Sequence, residues 1–384
     1  VEEVEEVEEV EEVEEVEEVS RKCPRSRRHL YLLLRVFHFS TFLLVASSAS
    51  AGQLARPSTF AFDTSASVDQ TRTFSGNSAT GVILDAVMSV GFGSGVEVMV
   101  RPWAQRQPNG DWNRQIWVAA VRYQRPGTIG LRVDAGLIPS PVGLANLMLR
   151  PQLNPTVSLP ASLFQPLPAS EAGAPRTTLL GAVYAYGASA TVSGAKWDAR
   201  GAVIDTSPLR TRRVFSSTNP PRFDNIVVGG GVTPVVGLRV GGSVTHGGWL
   251  RPIEDPMMEA RDATIITVES EYSFRYTKVL GEWVRDIMET SGGRQVSSGW
   301  FVQGQQTLTP RWFVAGRVEH IAAPALTLLG TIDEQRLDGT EETIGFRVTP
   351  EVTFRLDHRA RRTFGRPTFD QQVAVSAVWW RRWL

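Results

Sequence analysis

After residue 52 the chain alternates apolar and polar side chains with a period of two, in one segment after another. In 128–137, Ile129, Leu131, Val133, Ala135 and Leu137 fall on one face, with Gly130, Arg132, Asp134 and Gly136 on the other. In 236–245, Leu238, Val240 and Val244 oppose Arg239, Ser243 and Thr245. Ile344, Phe346 and Val348 oppose Gly345 and Arg347, and Val352, Phe354 and Leu356 oppose Thr353, Arg355 and Asp357. Near the C-terminus Val373, Val375, Ala377 and Trp379 share a face. Successive strand side chains point to opposite sides of a sheet, so each segment predicts a strand with one apolar and one polar wall. Helical periodicity is scarce.

A water-soluble β-sandwich alternates too, with its polar side in water. Three features favour a sheet that is apolar outside and wet inside. The polar faces are rich in charge while the apolar faces stay clean over about ten residues, which suits lipid outside and water within. Trp103, Trp112, Trp117, Tyr123, Trp283, Trp300, Trp312, Trp379 and Trp383 fall at expected strand ends, and Trp and Tyr favour a membrane–water interface. The connections also alternate in length. Tight turns are expected near Gly93-Ser94, Pro126-Gly127, Ser193-Gly194, Thr233-Pro234, Tyr276-Thr277, Thr309-Pro310 and Thr349-Pro350. Longer polar connections are expected near 106–111, 139–177, 207–222, 248–260, 290–293, 323–339 and 362–368. The segment PSTFAFDTSASV (57–68) supplies the strand that even-numbered closure requires. The pattern predicts an all-β fold: a transmembrane antiparallel β-barrel of about 16 strands, with short periplasmic turns and longer external loops.

The first 51 residues do not fit this pattern. Residues 1–18 are six copies of Val-Glu-Glu. Valine at every third position winds around a helix without making a stripe. Residues 1–20 are therefore read as a low-complexity, mis-assigned start, with an acidic tail as the other reading. Residues 21–51 read as a signal peptide: Arg25, Arg27 and Arg28 precede a mostly apolar run from Leu30 to Val45, and Ala49-Ser50-Ala51 suits cleavage after Ala51. The barrel then occupies 52–384. Without repeat and leader, 28 acidic and 34 basic residues remain, about +6. That surplus is too weak for a nucleic-acid binder and enough to tint a pore toward anions. Cys23, the only cysteine, precedes the cleavage point, so the mature chain needs no disulfide or thiolate metal site.

A leader, alternating strands, short turns and the aromatic-rich end VAVSAVWWRRWL together resemble the porins of Gram-negative outer membranes, over about residues 57–384. The resemblance implies a water-filled diffusion pore, usually a homotrimer, set in outer-membrane lipid by the barrel-assembly machinery. The segment DAGLIPSPVGLANLMLRPQLNP (134–155) is similar to loops of phosphate-selective-type porins. In the family the connection between the fifth and sixth strands folds into the barrel and narrows it. Here that connection is 139–177, the longest, with eight prolines. The family's last strand ends in an aromatic residue that assists insertion. Trp379 and Trp383 match it roughly, while Arg381, Arg382 and Leu384 depart.

In a pore the chemistry is electrostatic, set by rings of charge and by width. Alternation puts Arg101, Arg132, Arg239, Arg317, Arg347 and Arg355 on the polar face, with Glu97, Asp134, Glu269, Glu282, Glu319 and Asp357 in the same lumen. Arg132, Arg239, Arg347 and Arg355 fall within about two to six residues of a tight turn, hence at similar depth. The expectation is an arginine ladder facing acidic partners, with a transverse field and a mild anion preference. The competing reading is that these charges simply pair and hydrate the wall. Catalytic, metal and cofactor signals are thin: His246, His320 and His358 are far apart, and H-E-x-x-H, C-x-x-C and G-x-S-x-G are absent. Gly91 to Gly95 reads as a hairpin turn, and Gly229-Gly230-Gly231 as a strand kink or a close wall contact. The expected function is passive diffusion of small hydrophilic solutes or ions, without enzymatic activity. The alternative is a non-channel outer-membrane barrel: a surface-adhesion or structural protein, or a barrel enzyme.

Overall fold

The computed structural model describes residues 57–93, 95–106, 110–169, 174–181, 184–210, 222–251, 259–326 and 332–383. The Val-Glu-Glu repeat, the expected leader and its cleavage point, and Cys23 lie outside them. Sixteen strands make one closed antiparallel sheet, each paired with its neighbours in the chain, with β1 closing on β16. The first eight are β1 (Pro57–Thr73), β2 (Ser78–Phe92), β3 (Val96–Arg106), β4 (Trp112–Arg125), β5 (Gly130–Ile138), β6 (Ala185–Ser193), β7 (Trp197–Ile204) and β8 (Asn225–Val235). The others are β9 (Leu238–Leu250), β10 (Arg261–Phe274), β11 (Thr277–Thr290), β12 (Gly293–Thr307), β13 (Trp312–Leu326), β14 (Ile332–Arg347), β15 (Val352–Arg362) and β16 (Asp370–Arg382). Between β5 and β6 lie a 3-10 turn (Ala145–Leu149) and a one-turn helix, α1 (Ala161–Phe164). Among the described residues no helix is long and apolar enough to cross a membrane, which says nothing of crossing by strands.

The barrel has a turn end, where seven tight hairpins and both strand termini lie, and a loop end. The expected turns fall where the alternation breaks, with one exception. Thr233 and Pro234 lie inside β8, and its hairpin is at 236–237, where Gly237 takes φ +88°. A bulge between Val232 and Val235 accommodates the proline, which has no N–H to give a ladder. The expected loop 323–339 is mostly strand: only 327–331 separates β13 from β14. Its charged run, Asp333 to Asp338, reads as loop by composition yet continues the alternation, with Glu334, Arg336 and Asp338 on one face and buried Leu337 on the other. The connection after β5 runs on to residue 184.

Pairing fixes which side chains share a wall. One outward row is Val268, Trp283, Trp300 and His320, and the next is Val302, Val318 and Thr340. Val228, Val244, Val268, Val302, Val318, Ile344, Leu356 and Val375 are exposed outside, while Ser243, Thr267, Gln303, Arg317, Thr343 and Ser376 are buried inside. This reverses the polarity of a water-soluble fold and is the arrangement of a barrel with hydrocarbon around it. Trp112, Tyr123, Trp283, Trp300, Trp312, Trp379 and Trp383 are exposed as expected. Trp103 and Trp117 are not. Trp103 shares the phase of Arg101 and faces inward with it, and Trp117 turns inward as the extra residue of a register shift on β4; their rings stack 4.3 Å apart. The outer face of β13 to β15 also carries charge: His320 pairs with Asp338 at 2.7 Å and His358 with Glu342 at 2.9 Å.

Candidate functional site

The lumen is organised by the connection 139–184, which turns inward and is held by the wall's charges. Glu282 on β11 accepts hydrogen bonds from the backbone N–H of Leu144 and of Ala145. Gly143 makes this approach possible: φ is +76°, and an added Cβ would stand 2.6 Å from Glu282 Oε2 and 2.8 Å from Leu180 Cδ1. Arg150 bonds Asp63 on β1 and gives Nε to Asp85 on β2 at 3.0 Å. Arg355 on β15 gives Nη1 to the carbonyls of Asn154 (2.8 Å) and Thr156 (2.5 Å). Ser158 N–H donates to Glu341 on β14 at 2.7 Å, and Arg317 on β13 donates to the Ser158 carbonyl at 2.9 Å and bonds Glu341. Ala161 N–H reaches Glu319 at 2.9 Å.

Above this polar collar the connection brings its own apolar residues. Val142, Met148, Leu149, Leu163, Leu179 and Leu180 are buried in one cluster with Ile265, Met288, Ile321 and Leu337 of the wall. Burying apolar area at about 25 cal/mol per Å² makes such a cluster a substantial anchor for an otherwise irregular segment. Tyr184 stacks on Trp117 at 5.0 Å and accepts a bond from Arg101 Nη1 at 3.0 Å. Burial pushes its phenol up to about 12, with the Arg101 cation opposing the rise, so it stays neutral at ordinary pH.

Of the eleven residues singled out from sequence, Arg101, Asp134, Glu269, Glu282, Arg317, Glu319, Arg355 and Asp357 are buried. Arg101 pairs with Asp85 at 2.7 Å, and Asp357 accepts from Thr343 at 2.5 Å. Arg355 is buried and gives its donors to the connection instead of to the open lumen. Arg347 lies at the turn rim, its guanidinium over the Phe313 ring at 4.8 Å. Arg132 and Arg239 keep partial access to solvent. The structure adds Asp85, Arg122, Arg150, Arg200 and Glu341. Glu341 was within reach of the pattern, since it shares a phase with Gly345 and Arg347. Nothing in the alternation signals that Arg150, in a loop, bonds two strands.

The turn-side vestibule is lined by ion pairs in two clusters. Arg122 and Arg132 both grip Asp134, at 2.6 and 2.7 Å. Arg200 and Arg239 both grip Glu269, at 3.2 and 2.8 Å, and Arg239 also holds Asp198 at 3.0 Å. The shared carboxylates lie behind: the Asp134 side chain is 5% exposed against 45% for Arg132, and Glu269 is 0% against 26% for Arg239. The charges pair, as the competing reading has it. Arg132 and Arg239 stand in front of the carboxylates they share, while Glu97 and Asp198 stay open beside them, at 32% and 23% exposed. Among the described residues no group of three or more His, Cys, Asp or Glu side chains could hold a metal ion.

No protein-family model matches the chain. No curated protein matches its sequence. Solved structures do match its fold. OmpF of Salmonella typhi, in complex with daunomycin, has a TM-score of 0.58 at 10% identity, over 84% of this chain and 97% of that one. The trimer form of in-vitro folded OmpT, an outer membrane protein of Vibrio cholerae, has a TM-score of 0.55 at 6% identity, over 84% and 99%. An anion-selective porin from Comamonas acidovorans has a TM-score of 0.52 at 10% identity, over 85% and 99%. The chain is a closed, sixteen-stranded antiparallel barrel with the fold of these outer-membrane proteins.

Proposed function

We propose that the chain is an outer-membrane porin, exported through its leader, that lets small hydrophilic solutes diffuse with a mild anion preference. The observation that carries this reading is the reversed polarity of a closed barrel whose vestibule sets Arg132 and Arg239 in front of Asp134 and Glu269. Field lines from such oriented pairs raise the local concentration of anions even where the charges balance. The inserted connection sets the narrowest part of the path. In a planar bilayer under a potassium chloride gradient, the expected result is small conductance steps with a reversal potential on the anion side. A cation-side potential would remove the anion preference.

The blocked, non-channel barrel is the second reading, and one observation favours it. The inserted connection buries most of the charged inner wall and packs an apolar cluster across the lumen. Absence of any conductance step from well-folded protein would establish it. The paired charges on the outer faces of β13 to β15 support a homotrimer. Charge facing hydrocarbon is costly, and a neighbouring copy would cover it.

The lipid-facing reading of the outer wall has its own test. Val302→Arg, placed in the middle of the apolar belt, is expected to lower stability by about 2–4 kcal/mol in lipid vesicles. Urea titration followed by tryptophan emission reads the loss. A change within error would mean that this face does not meet hydrocarbon.

A further inference from the structure

The glycines of β8 and β9 do more than let the wall bend. Gly231 and Gly241 face one another across the two strands and fill the inward row between Asp198 and Glu269. An added Cβ on Gly231 would stand 2.7 Å from Arg239 Nη2, and one on Gly241 would stand 3.1 Å from Arg239 Nη1. At Gly229 it would stand 3.0 Å from Arg200 Nε. Both guanidinium groups therefore lie flat on bare backbone. Arg239 bridges the two glycines to reach a carboxylate on each side, Asp198 through Nε at 3.0 Å and Glu269 through Nη1 at 2.8 Å. A guanidinium carries five N–H donors, and these bonds with the one from Nη2 to Asp198 use three. Arg200 spends Nη2 on Glu269, and its Nε has no partner. That Nε is itself buried, so the donors left over where solvent reaches are those on the terminal nitrogens of Arg239 and Arg200, while the Glu269 side chain is sealed behind them.

We infer that Gly229, Gly231 and Gly241 determine specificity: they seat Arg200 and Arg239 against the wall, so that the passage runs along β7 to β9 and the spare guanidinium donors receive the oxyanion group of a passing solute. This rests on the channel reading above. A side chain at Gly231 would meet Arg239 first and lift it into the lumen, narrowing the path and breaking its alignment with Asp198 and Glu269.

The test is single-channel recording of the full barrel in planar bilayers with potassium chloride, acetate or phosphate. Gly231→Val is expected to cut acetate and phosphate conductance by about threefold or more, as narrowing of a charged constriction does. The double variant Gly231→Val with Arg239→Ala is expected to restore the step size in potassium chloride, because the displaced group is gone, without restoring the anion selectivity that Arg239 confers. Arg239→Gln, which leaves the glycines in place, is expected to shift the acetate reversal potential toward potassium. Acetate ahead of phosphate identifies a carboxylate, and phosphate ahead of acetate a phosphoryl group. Chloride favoured over both overturns the oxyanion assignment. Unchanged conductance in Gly231→Val, no rescue by the double variant, or an unmoved potential in Arg239→Gln overturns the inference while the channel reading stands. A silent wild type overturns both.

Discussion

Replacing residues 145–165 by a short Gly-Ser linker is expected to raise single-channel conductance several-fold and to admit uncharged sugars that the native barrel excludes. A barrel of about 16 strands encloses an aqueous lumen when nothing fills it. Here the filling is this segment, which carries Met148, Leu149 and Leu163 into the apolar cluster and Arg150 and Ser158 onto the wall. The sheet itself does not need it, because every strand is paired on both sides. The wall carboxylates Glu341 and Asp85 retain Arg317 and Arg101 as partners after the deletion. Step size in planar bilayers and sugar uptake by protein-loaded vesicles both read the change. If neither moves, the segment is not what obstructs the lumen.

Arg317→Met is expected to be the most damaging single change in the collar. The Arg317 side chain is 1% exposed and bonds Glu341, Ser158 and Thr156. Removing one member of a buried ion pair leaves the other without compensation, at a cost of about 3–5 kcal/mol. Glu341 would keep its bonds from Ser158 and lose the guanidinium that touches it. The midpoint of urea unfolding in detergent should fall accordingly, with an earlier loss of the compact band on unheated gels. Adding Glu341→Gln should return much of the stability, since the stranded charge is then removed. Equal losses in the single and double variants would mean that packing around Arg317, rather than charge, is at stake.

The fold was legible because period two is a strong local signal and a reversed polarity has few solutions. The segment 57–68 was needed to complete an even set, and β1 starts there. Boundaries were less legible where composition and periodicity disagree, as in the charged strand around Asp338. Membership of the inner wall followed from phase, so Arg101, Glu269 and Arg317 could be placed on it. What phase cannot supply is depth under a loop. Arg132 and Arg355 look alike in sequence, yet one faces the vestibule and the other bonds the carbonyls of Asn154 and Thr156. Those bonds join residues roughly two hundred positions apart, and no short-range pattern encodes them. Trp117 sits at a local irregularity that interrupts the alternation, whereas Trp103 shares the inward phase of Arg101, so its phase, more than its ring, tells where it lies.

Within a few residues, Arg150 to Ser158, the inserted connection touches β1 and β2 on one side and β13, β14 and β15 on the other. The first and last strands meet between those two sets. The connection therefore works as an internal clasp on the join by which the ribbon of strands becomes a cylinder. During biogenesis the clasp and the join must mature together, and amide exchange along β1 and β16 should slow only once Arg150 and Ser158 have found their partners.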